Sequence, residues 1–198
     1  MPMSDEINEL AEKLITRNEV AKAAAANRLV EIGVPAVPAL LKLLRSSSGY
    51  ATSEVIGIFR RMGEPAVPEL LKYVKGDHPM EARNIIRKMG PKAIPELFKG
   101  AEKGIIDEKT MKYLVFWSVM ELEHLPMEAA EIDLKKVRPI LREIGRELYW
   151  TDDKMTAAYM RLVRCVQKGK ERIDMPGELL PARIPKKPPM FRRRVAYA

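Results

Sequence analysis

Along most of the chain, apolar residues recur at three- and four-residue intervals, the spacing that lines one face of an α-helix. Val37, Leu40, Leu41 and Leu44 form one such stripe, and Val67, Leu70, Leu71 and Val74 form another. Each is followed by a partner stripe: Val55, Ile58, Phe59 and Met62 after the first, Ala82, Ile85, Ile86 and Met89 after the second. No alternating run rich in Val, Ile and Thr occurs, so the pattern predicts helices and no strands. The punctuation between stripes repeats as well. Gly33-Val-Pro-Ala-Val-Pro-Ala-Leu-Leu-Lys42, Gly63-Glu-Pro-Ala-Val-Pro-Glu-Leu-Leu-Lys72 and Gly90-Pro-Lys-Ala-Ile-Pro-Glu-Leu-Phe-Lys99 are near copies. Their glycines lie 30 and then 27 residues apart, a period that belongs to stacked helix pairs. Each glycine is expected to end a helix as a left-handed C′ residue. Pro35 and Pro65 stand where the next helix begins, a position at which a missing N–H costs nothing. Pro38, Pro68 and Pro95 fall in the first turn, whose donors have no intrahelical acceptor.

The rest of the chain parses into further, less regular helices. Ser4 to about Arg17 reads as the first and Glu19 to Ile32 as its Ala-rich partner. After Gly104, Asp107 or Lys109 to His124 reads as one long helix. Ala129 to Trp150 reads as another, with Pro139 either kinking it or opening its second half. Asp152-Asp153 is expected to cap a last helix from Lys154 to Gln167. The predicted fold class is therefore all-α. It is expected to be an α-solenoid of about five antiparallel helix pairs over residues 1–174, clearest at 20–104. An extended basic tail follows at 175–198.

The repeated Gly-x-x-Ala-Val/Ile-Pro-x-Leu-Leu/Phe-Lys pattern, with an amphipathic helix after it, resembles HEAT repeats of the phycobilisome-lyase-like type. The resemblance covers residues 20–104 and implies a scaffold or binding surface. Lyases of that kind attach a tetrapyrrole to cysteines of a partner protein. No motif beyond the shared repeat carries that activity to this chain, so a cofactor lyase or chaperone is the most distant reading.

Charge changes the picture at one end. The formal net charge is +8. Residues 1–160 hold equal numbers of basic and acidic side chains, 24 of each. Residues 161–198 hold 11 basic and three acidic ones, so the excess belongs entirely to the last segment. Pro176, Pro181, Pro185, Pro188 and Pro189 exclude a helix there and favour an extended chain. Arg183, Lys186, Lys187, Arg192, Arg193 and Arg194, with Phe191 among them, suit phosphate contacts and base stacking. A solvated tail, a fold-back onto the body and an acidic protein partner remain alternatives. Arg60 and Arg61 occupy the positions that Arg87 and Lys88 hold one repeat later, with Arg83 a turn earlier. Stacked repeats would align these cations into a short basic row, although cations in a last helical turn also complement the macrodipole. Met111 to Met120 is apolar on nearly every side, which signals burial between layers or a partner site. Tyr113, Trp117, Tyr149 and Trp150 are the natural anchors for such a partner.

Catalytic chemistry has little to build on. His78 and His124 are the only histidines and Cys165 the only cysteine, with no zinc-ligand spacing. Phosphate-binding loops, dinucleotide fingerprints and nucleophile elbows are absent from the sequence. Glu121, Glu123 and His124 read as solvated helix-end charges, and Cys165 as a small buried hydrophobe. No catalytic, cofactor or metal residue is assigned. No apolar run is long enough to span a bilayer. The polar, acidic opening Met1-Pro-Met-Ser-Asp-Glu lacks a secretory signal, so a cytoplasmic protein is expected. The expected role is a non-enzymatic scaffold or adaptor that binds a protein partner through its helical surface and basic arm. The alternative is a factor associated with RNA or DNA through that arm.

Overall fold

The computed structural model describes residues 3–46, 52–125 and 131–169. Among them the chain is all helical, without a β-strand. The α-helices are α1 (Met3–Lys13), α2 (Glu19–Ile32), α3 (Val37–Ser46), α4 (Thr52–Met62), α5 (Val67–Tyr73) and α6 (Pro79–Met89). They continue as α7 (Ile94–Glu102), α8 (Glu108–Met120), α9 (Leu134–Glu147) and α10 (Asp152–Gly169). The tail residues Arg183, Lys186, Lys187, Phe191, Arg192, Arg193 and Arg194 lie outside the described residues.

Consecutive helices pack as pairs: α1 with α2, α3 with α4, α5 with α6, α7 with α8 and α9 with α10. The even helices also touch in series, α2 on α4, α4 on α6 and α6 on α8. On the other side α1 packs against α3, and α5 against α7. α8 is the hub of the C-terminal part, in contact with α6, α7, α9 and α10. Its all-round apolar sequence is explained by that position. Leu114, Val115, Phe116, Val119 and Met120 are all buried, because neighbours cover more than one face.

The repeat boundaries have a specific backbone. Gly33, Gly63 and Gly90 have φ of 71°, 70° and 70° with ψ of −134°, −152° and −150°. The positive φ agrees with a glycine helix stop, but the ψ does not belong to the left-handed helical region. It belongs to a region almost exclusive to glycine, which explains the residue more strictly than a simple cap does. A one-turn 3₁₀ helix follows Gly33 and Gly63, at Val34–Ala36 and Glu64–Ala66, and a third begins on its glycine, at Gly90–Ala93. Pro35 and Pro65 lie in these turns, and Pro38, Pro68 and Pro95 in the first turn of the α-helix beyond. Behind each turn Leu40, Leu70 and Leu97 are wholly buried in equivalent places.

Several ends differ from the sequence reading. α1 stops at Lys13, and Leu14, Ile15 and Thr16 instead donate to carbonyls three residues back. This tight turn puts Leu14 into the core. Pro139 lies inside α9 on its exposed side, where the Lys135 carbonyl, which can receive no N–H from the proline, is on a solvent-facing stretch. Asp152 and Asp153 are in the first turn of α10 rather than ahead of it, where their charge complements the helix dipole. Asn18, Asp107 and Asp133 are the side chains that cap α2, α8 and α9.

Candidate functional site

Among the described residues, two grooves bring together charged and aromatic side chains suited to recognition. The first, about 590 Å³, lies between α6 and α8. α6 turns Ala82, Ile85, Ile86 and Met89 into the core, so its opposite face carries Met80, Arg83, Asn84 and Arg87 into the groove. α8 supplies Lys109, Tyr113, Leu114 and Trp117 to the facing wall. The result is an apolar and aromatic floor with cations along its edge. Met80 is 72% exposed at one end. Arg83 and Lys109 form no ion pair among the described residues.

Arg87 is held from several directions. Its guanidinium lies 5.9 Å from the centre of the Trp117 ring, and its Nη2 donates to Asn84 Oδ1 at 3.1 Å. Its Nε approaches Glu121 at 3.7 Å. Lys88 donates to the other oxygen of the same carboxylate. The Glu121 side chain is only 8% exposed, which corrects its reading as part of a solvated helix-end cluster. Glu123 and His124 are exposed, as that reading had them. Packing of the 3₁₀ turn Glu121–Glu123 against the α8 core draws Glu121 inward, and two cations from α6 make its burial tolerable.

The aromatic wall is fixed from behind. Phe116, Trp117 and Trp150 meet edge to face, with centroids 5.4, 5.6 and 6.0 Å apart, an arrangement favoured by the ring quadrupoles. Trp150 is therefore part of the packing that holds Trp117. Tyr113 donates its hydroxyl to Glu147 Oε2 at 2.6 Å. That carboxylate, with some burial, holds the phenol above its ordinary pKa. Lys112 bridges Glu108 and Glu143, each at 2.9 Å.

Arg83, Arg87, Tyr113 and Trp117, which the sequence offered as two separate sets, thus share one groove. The remaining members of the basic row are engaged elsewhere. Arg61 donates to Asn27 at 2.8 Å, Arg60 also has a partner, and Lys88 serves Glu121. Tyr149 stands apart at 95% exposure.

The second groove was missed by the sequence reading. It lies between α9 and α10, about 410 Å³, lined by Arg138, Leu141, Arg142 and Arg146 on one side. Asp152, Met155, Thr156 and Tyr159 line the other side. The arginines are four residues apart, a signal that was legible in the sequence. Glu143 and Glu147 on the same helix are drawn toward Lys112 and Tyr113 of α8. α9 therefore separates its charges, acids toward α8 and arginines toward α10. Tyr159 is buried, its hydroxyl without a partner among the described residues. Burial raises its pKa, with Arg138 opposing.

Among the described residues, no three His, Cys, Asp or Glu side chains come together as metal ligands. Cys165 is buried in α10. No helix there is long and apolar enough to cross a membrane. No family model, curated protein or solved structure matches the chain significantly.

Proposed function

We propose that this chain is a HEAT-like α-solenoid adaptor without catalytic activity, and that the α6–α8 groove docks a protein partner. The observation that carries the reading is the juxtaposition of Arg83, Arg87 and Lys109 with Met80, Tyr113 and Trp117. Tyr, Trp and Arg are the side chains that dominate binding energy when they cluster on a desolvated patch. The partner segment that fits is an acidic peptide with an apolar anchor. Carboxylates meet the cationic edge, and the anchor covers the exposed thioether of Met80 and the part-exposed indole. The chain's own basic tail has the wrong sign for this groove. The five consecutive helix pairs and the recurring glycine backbone support the solenoid, as does the repeat period of the sequence.

The test is affinity purification on wild type and on the double variant Met80→Glu, Arg83→Glu, read by mass spectrometry. Both side chains are exposed, so the variant should keep its helical circular dichroism. The expected result is loss of specific partners that the wild type retains. Recovery of the same partners in the same amounts by both proteins would overturn the docking role of this groove.

A further inference from the structure

The turn from α9 into α10 puts a large aromatic where glycine is the normal choice. Trp150 N–H donates to the Gly145 carbonyl at 2.9 Å and Tyr149 N–H to the Arg146 carbonyl at 3.2 Å. Those two bonds are the Schellman pattern, with Tyr149 in the C′ position at φ 55°. A residue with a Cβ is disfavoured there, and glycine is not. Gly104 fills the corresponding place after α7, at φ 69° with the same pair of bonds, from Ile105 to Gly100 and from Gly104 to Ala101. Tyr149 gains nothing from packing in exchange, since its side chain is 95% exposed. Its neighbour Trp150 turns inward to Phe116 and Trp117. A strained backbone that presents a bare aromatic ring points to a ligand for the ring.

The helix that ends at this tyrosine carries the arginine row. Four residues of α-helix advance about 6 Å, so Arg138, Arg142 and Arg146 are spaced along α9 at that interval. This is close to the interval between phosphates of an extended strand. Arg142 and Arg146 are exposed and make no ion pair among the described residues. The acids of α9 that could neutralise them are committed to α8. A row of guanidiniums that tracks a backbone, with an aromatic ring at its end, is the arrangement that holds single-stranded nucleic acid. A duplex offers no free base face to the ring. An acidic peptide could meet the arginines but need not place a ring against Tyr149, whereas every nucleotide carries one.

We infer that the α9–α10 face binds single-stranded nucleic acid, with Arg142 and Arg146 on successive phosphates and Tyr149 stacked on a base. Arg138 extends the row, and Tyr159 lines the same groove. Asp152 on the facing wall opposes the polyanion, so its removal strengthens binding. This inference is independent of the α6–α8 docking groove and stands or falls without it.

The experiment is fluorescence anisotropy of the full chain with labelled oligo(U) and oligo(dT) at several salt concentrations. Tyr149→Gly should weaken binding by roughly 5- to 150-fold, the range for loss of one base–aromatic stack, while Tyr149→Phe should retain it. Glycine suits the backbone at this position, so the variant should be at least as stable to urea as the wild type. That separates lost recognition from lost folding. Arg142→Gln and Arg146→Gln should each reduce the slope of log affinity against log salt by about 0.7. Asp152→Asn should tighten binding. Equal affinity of Tyr149→Gly and wild type, or unchanged salt slopes in both arginine variants, would overturn the inference. So would displacement of the oligonucleotide by polyglutamate as effectively as by unlabelled oligo(U), which would point to an acidic protein instead.

Discussion

Ser118 sits in the last turn of α8 with no exposure, and its hydroxyl has no hydrogen-bond partner among the described residues. Burying a hydroxyl without an acceptor costs more than a methyl group in the same place. Alanine is also the better helix former. Ser118→Ala should therefore raise stability by about 1 kcal/mol in a urea titration; a loss of stability would mean that the hydroxyl is engaged after all. Asp107 shows the opposite case, a polar group with every acceptor used. It caps α8 by accepting from the Thr110 N–H at 2.8 Å and the Thr110 hydroxyl at 3.0 Å, and Lys75 lies 3.0 Å away. The Thr110 N–H first, and Lys75 after it, hold this carboxyl well below the usual carboxylate range. A depressed native pKa means that the stabilisation is complete above the ordinary pKa of about 4 and fades as pH falls below it. Asp107→Asn keeps an acceptor but no charge. Wild type should be the more stable protein at neutral pH, and the gap in urea midpoints should narrow below about pH 4. A gap that is constant with pH would remove the charge from the account.

At the scale of the element, the repeat glycines separate backbone strain from crowding. Gly63 and Gly90 share the same φ and nearly the same ψ, so an added Cβ meets the same conformational cost at both, about 1–3 kcal/mol. Their surroundings differ. A Cβ at Gly63 meets nothing closer than Pro65 at 4.0 Å, whereas one at Gly90 falls 2.6 Å from Leu125 Cδ1. Gly90→Ala should consequently lose more stability than Gly63→Ala, and both should lose some. Equal losses would show that Leu125 gives way freely. The helix-terminating role of these glycines was legible in the repeat. Their ψ was not, because it depends on how the 3₁₀ turn reconnects two packed helices.

For the molecule as a whole, the question is how far a local loss travels. Leu70 is fully buried between neighbouring helices. Leu70→Ala should cost about 2–5 kcal/mol, the range for a cavity of that size in a core. Both tryptophans of the chain, Trp117 and Trp150, lie in the α8–α10 part, so their fluorescence reports on a region remote in sequence from Leu70. The serial contacts of α4, α6 and α8 connect the two parts. Tryptophan fluorescence and circular dichroism should therefore shift together in denaturant. Divergent midpoints would show that the two parts unfold separately.

The sequence by itself determined the helical class, the stops at Gly33, Gly63 and Gly90, and the buried stripes of the repeats. Those are local properties, written in the 3.6-residue period and in the backbone freedom of single residues. It also carried the arginine spacing of α9, which needed only the same period to be noticed. What required the tertiary structure was every relation between residues far apart in the chain. Glu121 looks like an ordinary surface acid until Lys88 and Arg87, more than thirty positions earlier, come to rest on it. Arg83 and Trp117 become one site only because α6 packs on α8. Trp150 and Tyr149 are adjacent and chemically alike, yet one closes an aromatic cluster and the other stands in solvent. That difference is set by the left-handed turn at Tyr149, which no residue periodicity specifies.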